Sequence, residues 1–462
     1  MTEPKLKRAL NTWDLVIYGI MFMIPVAPFA WYGTFVGTAH GMVALAYFVG
    51  LVAMLFTGFS YAQMSGRYPI AGSVYSYVQR GTRQELGWMA GWAIMLDYIF
   101  LPAVAYLIGG LYFSELVPGV PEWGWVLIFA AVTTIVNVLG IRLMAWVSWA
   151  LFAFQVVVML YFLIEVFAKI AAGSLHFNAV GFYNPHAFHL HGVLAATVIV
   201  VLSYLGFDAV STLSEEAKNP RKSVPRATVL SIIGGGVIFI ILTYFAGVAY
   251  PNWEKLNSDT AFLDILKSLG GTPLNDLAIL AITISFGLAC SLEGEAAIAR
   301  ILFSMGRDGI LPKQIAIVHP TWQTPWVATI LIGVLSVIVA IAVGLATLAT
   351  WLSFGALIGF MALNATVVWH FYIKGKKSAA SFVKYVVSPL IGLGVCAYIF
   401  ANMGTSAYKV GFSWLAVGFV YLLYKTAVFT KPAPALRLDE VLGPEGAQDG
   451  APTAGTEAAP II

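Results

Sequence analysis

Three carboxylic acids stand inside apolar stretches that would otherwise carry no charge. Asp208 follows Ser203-Tyr204-Leu205-Gly206-Phe207, and Glu293 and Glu295 sit two residues apart in a later apolar run. Charging a carboxylate at mid-bilayer costs several kcal/mol, so each such acid is a functional candidate by default. Two kinds of chemistry suit them: pairing with an ammonium group, or taking up and releasing a proton. Glu293 and Glu295 are roughly 200° apart around a helix axis, so a regular helix turns only one of them to a given cavity. The other is expected against a neighbouring helix, where a protonated Glu donating a hydrogen bond is the ordinary alternative. Asp208 either binds an amine or caps the helical segment after it, whose N-terminus favours an anion.

A second group of candidates offers backbone rather than side chains. In Met23-Ile24-Pro25-Val26-Ala27-Pro28 the two prolines remove two N–H donors and free the carbonyls one turn earlier. In lipid those carbonyls need partners, so the break should line a cavity. Gly206, beside Asp208, marks a comparable interruption. Tyr98 and Tyr204 lie near the two breaks and would supply hydroxyl or cation–π contacts. The candidate binding set is therefore Met23, Ile24, Pro25, Val26, Ala27, Tyr98, Ser203, Tyr204, Gly206, Phe207, Asp208, Glu293 and Glu295, with Asp208, Glu293 and Glu295 as the proton-coupling candidates. Glu215 and Glu216, beside Lys218 and Arg221, read as a solvated helix end or an inner gate. Other chemistries lack their residues: there is no Ser–His–Asp, cofactor or G-x-x-x-x-G-K-[ST] pattern. His176, His186, His189 and His191 cluster in one loop and read as solvated. Cys290 and Cys396 lie in apolar runs, which argues against a disulfide or zinc site. No metal, cofactor or nucleic acid is expected, and an enzyme is disfavoured.

The elements that position these residues follow from composition. The chain has 462 residues, 60% hydrophobic and only 10% charged, against about 25% charged in soluble domains. That composition implies an all-α, multi-pass membrane protein. Charge-free runs mark twelve spans, near 14–38, 42–64, 87–115, 123–141, 144–168, 191–214, 228–250, 277–303, 326–343, 346–370, 384–402 and 411–428. With the N-terminus in the cytoplasm, only Lys169, Lys255, Lys267 and Lys409 of the 25 Lys and Arg fall outside, which sets both termini on the inner side. The outer connections around 169–190 and 251–275 leave room only for small helices. Spans one and six then hold corresponding breaks in two five-helix halves. Interrupted helices at matched positions point to a secondary-transporter site between inverted repeats.

Several stretches carry a resemblance. They are Tyr68-Pro69-Ile70-Ala71-Gly72-Ser73-Val74-Tyr75, Leu96-Asp97-Tyr98-Ile99-Phe100-Leu101-Pro102, the run from Tyr204 to Glu216, and Met305-Gly306-Arg307-Asp308-Gly309-Ile310-Leu311-Pro312. Over residues 8–430 the chain resembles the amino acid–polyamine–organocation (APC) superfamily. The Leu96–Pro102 stretch and His319-Pro320-Thr321-Trp322-Gln323-Thr324-Pro325 look closest to bacterial putrescine importers. The resemblance implies a 5+5 inverted-repeat fold of the APC/LeuT type with discontinuous helices one and six. The expected divisions are a cytoplasmic segment at 1–12, repeats at 13–172 and 190–372, two trailing helices at 382–430 and a disordered cytoplasmic tail at 431–462. It implies a site among spans one, three, six and eight, with residues near Gly294 in span eight. Two departures stand out. The proline-broken first span lacks the glycine-rich N–H cradle that holds a substrate carboxylate in many such permeases. Gln155 occupies the place where several proton-coupled members carry a lysine.

The expected activity is import of small amines, polyamines such as putrescine or amino acids, by a proton-coupled symporter, a monomer in the bilayer of a bacterial plasma membrane. The coupling ion is a proton or another cation. The alternatives are an amino acid permease or exchanger with a non-standard carboxylate site, and a nutrient sensor built on a transporter fold.

Overall fold

A computed structural model describes residues 6–430, apart from Pro118, His186, 257–260, Lys376 and Lys377. The expected tail, 431–462, and the first five residues lie outside the described residues. The described chain is helical, and its one β-type pairing is a bridge between Leu10 and Ala217.

In chain order the helices are α1 (Thr12–Phe22), α2 (Ala27–Val36), α3 (Val43–Arg67), α4 (Ser73–Gly81), α5 (Gln84–Leu116), α6 (Glu122–Leu139), α7 (Ile141–Ala171) and α8 (Leu190–Val200). There follow α9 (Pro220–Ala249), α10 (Ala261–Ile284), α11 (Ser291–Arg307), α12 (Trp326–Ala342), α13 (Leu345–Val367), α14 (Ala379–Phe382), α15 (Ser388–Ala401) and α16 (Thr405–Lys425). Ten helical stretches are long and apolar enough to cross a bilayer, and the bent pair α1–α2, turned by 43°, makes an eleventh. The span expected at 326–343 is α12, only 17 residues long, about 25 Å at the usual helical rise. The stretch expected as an outer connection up to 275 is partly helical. There α10 begins at Ala261 and kinks where Gly271 takes φ 65° ahead of Pro273.

The amphipathic logic of a soluble core is replaced here by a gradient of burial around one helix. Most of α5 is enclosed by α4, α6, α11, α12, α13 and α16. Within its apolar window 78% is buried, against 22% for α16 at the periphery. Two tryptophans fasten α16 to it: Trp92 donates to the Trp414 carbonyl at 2.8 Å, and Trp414 donates to the Trp92 carbonyl at 2.6 Å.

Three irregular membrane segments bear on the candidate acids. The first begins with a capping box, in which Asn11 accepts from the Trp13 and Asp14 N–H groups while Asp14 accepts from that of Asn11. It breaks after Phe22, and Ile24 takes φ 60°, a strained region for a β-branched residue. Pro28 falls in the first turn of α2, where its absent N–H leaves nothing unsatisfied. The second irregular segment runs from α8 into two 3₁₀ stretches, Val201–Tyr204 and Phe207–Leu213, divided by Gly206 at φ 116°. The third has a π-turn, Ser285–Cys290, between α10 and α11.

On one side of the molecule the N-terminal segment lies against the chain after the second 3₁₀ stretch. The Ala9 and Leu10 N–H groups donate to the Glu216 carbonyl at 2.8 and 3.0 Å, and Lys218 N–H donates to the Leu10 carbonyl at 2.9 Å.

Candidate functional site

The two breaks meet. Phe22, the last residue of α1, lays its ring against Gly206, and a Cβ at Gly206 would overlap that ring. The Phe22 ring also meets Tyr98 of α5 edge-on, with centroids 5.9 Å apart. Asp208 lies just beyond Gly206 and is fully buried. Its Oδ2 accepts from the Tyr98 hydroxyl at 2.5 Å and the Tyr61 hydroxyl at 3.4 Å, and its Oδ1 accepts from Gly206 N–H at 3.3 Å. All three donors are neutral. Such a cage gives the carboxylate hydrogen bonds but no positive charge, which is the condition an incoming cation can satisfy.

Of the residues singled out from sequence, the structure brings together Tyr98, Gly206 and Asp208, with Phe22, just before the Met23–Ala27 break, against the first two; Met23 itself turns to Gly235 of α9. Met23, Ile24, Pro25, Val26 and Ala27 are all buried, and the Cys290 thiol of the π-turn approaches the Phe22 carbonyl at 3.7 Å. Phe207 packs away from this point, against Tyr61 and Phe360. Ser203 and Tyr204 face α3 instead: Tyr204 donates to the Tyr47 carbonyl at 2.7 Å, and Ser203 shares a hydrogen bond with the Tyr47 hydroxyl. Tyr204 therefore ties the first 3₁₀ stretch to α3, and Tyr98 alone of the two tyrosines reaches Asp208.

Glu293 and Glu295 are both fully buried in the first turns of α11, and they diverge. Glu293 reaches α7, where Ser148 donates to its Oε1; its Oε2 has no hydrogen-bond partner among the described residues. The Glu293 carbonyl accepts from the Tyr18 hydroxyl of α1 at 2.9 Å. Glu295 reaches α6, where Thr134 donates to Oε1 at 2.6 Å and Asn137 to Oε2 at 3.2 Å. The Gln155 amide donates to the Met21 sulfur at 3.4 Å and so lies against α1.

The solvated helix end expected at Glu215 and Glu216 is corrected. Glu216 is wholly buried and holds Arg300 through two hydrogen bonds, 2.7 and 3.0 Å. Glu215 accepts from Arg307 at 2.9 and 3.0 Å and from Ala71 N–H at 3.1 Å. The reason is spacing: Arg300 and Arg307 are two helical turns apart on one face of α11, and that face covers the chain after the second 3₁₀ stretch. Beside them Tyr75 of α4 donates to Asp308. Burial pushes the Asp308 carboxyl above its ordinary value, with the Tyr75 hydrogen bond and Arg307 opposing. Sequence reasoning also left out Tyr61, Ser148, Thr134 and Asn137, which are neutral residues whose importance lies only in the acids they meet. Arg300 did carry a signal, since it stands inside the expected eighth span and a membrane arginine needs a partner.

The chain matches the amino acid permease family over residues 14–434. It is 33% identical over 441 residues to the low-affinity putrescine importer PlaP of Escherichia coli (strain K12), covering 94% of this chain and 97% of that one. It is 30% identical to the methylthioribose transporter of Bacillus subtilis (strain 168), over 91% of this chain and 94% of the relative. The branched-chain amino acid permease BcaP of the same organism is 26% identical over the same shares.

Proposed function

Because the chain belongs to the amino acid permease family, we propose that it is a proton-coupled secondary transporter that imports small amines, in the manner of a putrescine importer. Membership makes it a transporter rather than an enzyme, a multi-pass protein of the plasma membrane whose cargo is an amino acid or a polyamine. The finer reading is ours. It takes α1–α2 and the α8–3₁₀ segment as the discontinuous first and sixth spans of a 5+5 inverted repeat, 13–172 and 190–372. Twelve spans, with α12 the shortest, put both termini in the cytoplasm.

The observation that carries the amine reading is Asp208, buried at the meeting point of the two breaks and held only by neutral donors. A substrate ammonium would pair with it, next to the Phe22 and Tyr98 rings. The break has no N–H at Pro25, and the Ala27 and Phe29 N–H groups after it are already given to the Ile24 and Val26 carbonyls at 2.8 and 2.9 Å, so it has few donors for a substrate carboxylate. For the coupling proton, Glu293 is the better placed of the two glutamates. It joins α11 to α7 and to α1 and keeps one oxygen unpartnered, whereas Glu295 has both oxygens engaged. The unpartnered oxygen is where a proton would be taken up.

The test is uptake by proteoliposomes. An inward proton gradient is expected to drive accumulation of labelled putrescine, and Asp208→Asn to abolish it. Accumulation indifferent to the gradient would overturn the coupling. A second reading, an amino acid permease or exchanger, is favoured by the similarity to BcaP; uptake of a branched-chain amino acid that no diamine competes would select it.

A further inference from the structure

Two histidines outside the carboxylate site meet. His40 lies in the turn between α2 and α3, and His189 is the N-cap of α8. Their ring centroids are 5.4 Å apart, with 67° between the planes. The turn aims the first ring. His40 takes φ 48° and Gly41 φ 83°, a left-handed pair in which histidine is among the better tolerated side chains and glycine is unstrained. Trp253, from the connection before α10, covers the turn. Its indole meets the His40 ring edge-on, with centroids 5.7 Å apart, and a Cβ at Gly41 would lie 2.6 Å from the indole Cδ1.

The Cδ2–Nε2 edge of the His40 ring faces α8. A Cβ at Gly192, in the first turn of that helix, would lie 2.9 Å from Cδ2 and 3.2 Å from Nε2. His189 stands three residues before Gly192, so a nitrogen of His40 is turned to the stretch of chain that carries the second imidazole. No hydrogen bond from another described residue reaches either ring. A neutral imidazole keeps a lone pair that suits zinc, copper or nickel. Such an ion binds imidazole nitrogen at about 2.0–2.1 Å, which sets two rings on one tetrahedral ion about 5 Å apart between centroids. The pair already has that separation. Among the described residues no group of three or more His, Cys, Asp or Glu is placed to hold a metal ion, so the pair supplies two ligands and water the others. Two ligands make a weak and reversible site, suited to an ion met in the medium and not to a resident one.

We infer that His40 and His189 form a two-imidazole site for a divalent transition metal of the zinc type, and that the bound ion clamps the turn after α2 to the start of α8. The binding stands on the ring geometry alone. Its consequence rests on the proposed function, in which α1–α2 and the α8 segment are the discontinuous first and sixth spans. There α2 and α8 are the outer halves of the two broken spans, and the ion enters from outside. Alternating access moves these halves relative to one another. An ion that bridges them binds the arrangement in which the rings meet and not one in which they part, so it shifts the population toward the former. External metal then slows transport without touching Asp208.

Zinc chloride titrated into the purified, tag-free full chain tests the site, by calorimetry or by ligand-induced thermal shift. One saturable site in the micromolar range is expected. His40→Asn, which keeps a side chain tolerant of the left-handed turn, and His189→Asn, at an exposed position, are each expected to weaken it about tenfold or more. His176→Asn is expected to leave it unchanged. Zinc binding that survives both His40→Asn and His189→Asn would overturn the inference, and so would the lack of any saturable binding below about 1 mM. In proteoliposomes, external zinc is expected to slow putrescine uptake by the wild type and to spare His189→Asn. Wild-type uptake that runs equally fast at saturating zinc would overturn the clamp. Absence of putrescine uptake before zinc is added would count against the proposed function alone, and the binding result would stand.

Discussion

Glu293 and Glu295 differ by two positions, and their surroundings ask opposite things of them. Glu295 receives two donors from α6, so it acts as a fixed acceptor that ties α11 to its neighbour. Replacing it by Gln turns one accepting oxygen into a donating amide. The expected cost is about 1–3 kcal/mol for the donor left facing another donor, read as a lowered melting temperature with substrate counterflow retained. Glu293→Gln keeps its one bond to Ser148 and removes the titratable proton. It is expected to leave counterflow intact and to abolish accumulation driven by a proton gradient; gradient-driven accumulation equal to the wild type would show that Glu293 carries no coupling proton. The arginine pairs divide in the same way. Glu216→Ala would strand Arg300 in a fully buried position, at a cost of about 3–5 kcal/mol. Glu215→Ala, in a pair whose side chains are each 14% exposed, is expected to cost about 1 kcal/mol. Comparing the two melting temperatures checks the order. The acids themselves were legible in the sequence because membrane charge is rare. Their partners were not, since Ser148, Thr134 and Tyr61 look like any polar residue until the fold sets them beside a carboxylate.

Among the elements, each irregular segment was legible in proportion to its dependence on special residues. Pro25, Pro28 and Gly206 announce their breaks, because proline removes a donor and glycine alone takes φ 116° without strain. The π-turn Ser285–Cys290 was not anticipated. A wider hydrogen-bonded turn needs no special residue, and Ser-Phe-Gly-Leu-Ala-Cys would serve in an ordinary helix. The shift it introduces helps set where Glu293 and Glu295 point. The contact of Phe22 with Gly206 couples the first and sixth segments directly, so the two breaks should behave as one unit. Gly206→Ala adds a methyl group where the Phe22 ring already lies and forces a left-handed conformation, a strain of about 1–3 kcal/mol. Transport is expected to be lost. In a double-mutant cycle, Phe22→Ala should recover part of the stability, by relieving the clash and not the backbone strain. Full additivity of the two substitutions would mean that the breaks are independent.

For the molecule as a whole, the proposed sidedness rests on the distribution of Lys and Arg along the sequence, and the structure adds what some of those charges meet. Around the C-terminal half of α11 the N-terminal segment, the chain after the second 3₁₀ stretch, α4 and α11 are joined by the Leu10–Ala217 bridge, Glu216–Arg300, Glu215–Arg307 and Tyr75–Asp308. In the proposed orientation the pairs form a layer between the Asp208 region and the cytoplasm, so release of substrate to that side would require part of the layer to come apart. Arg307 is the outer and partly exposed member. Its loss should favour the open arrangement without unfolding the protein, as loss of Arg300 would. Cys290 offers a built-in reporter, because its thiol is buried against the Phe22 carbonyl and is expected to become reachable when the layer parts. In inside-out vesicles, with Cys396 replaced by Ser, Arg307→Ala is expected to speed labelling of Cys290 by a membrane-impermeant maleimide. A pair worth about 1 kcal/mol corresponds to about a fivefold change in the open population. Putrescine should slow that labelling if it favours the closed form. Identical labelling rates with and without Arg307 would mean that the cytoplasmic side is held shut by packing alone, and that the arginines serve only the stability of the fold.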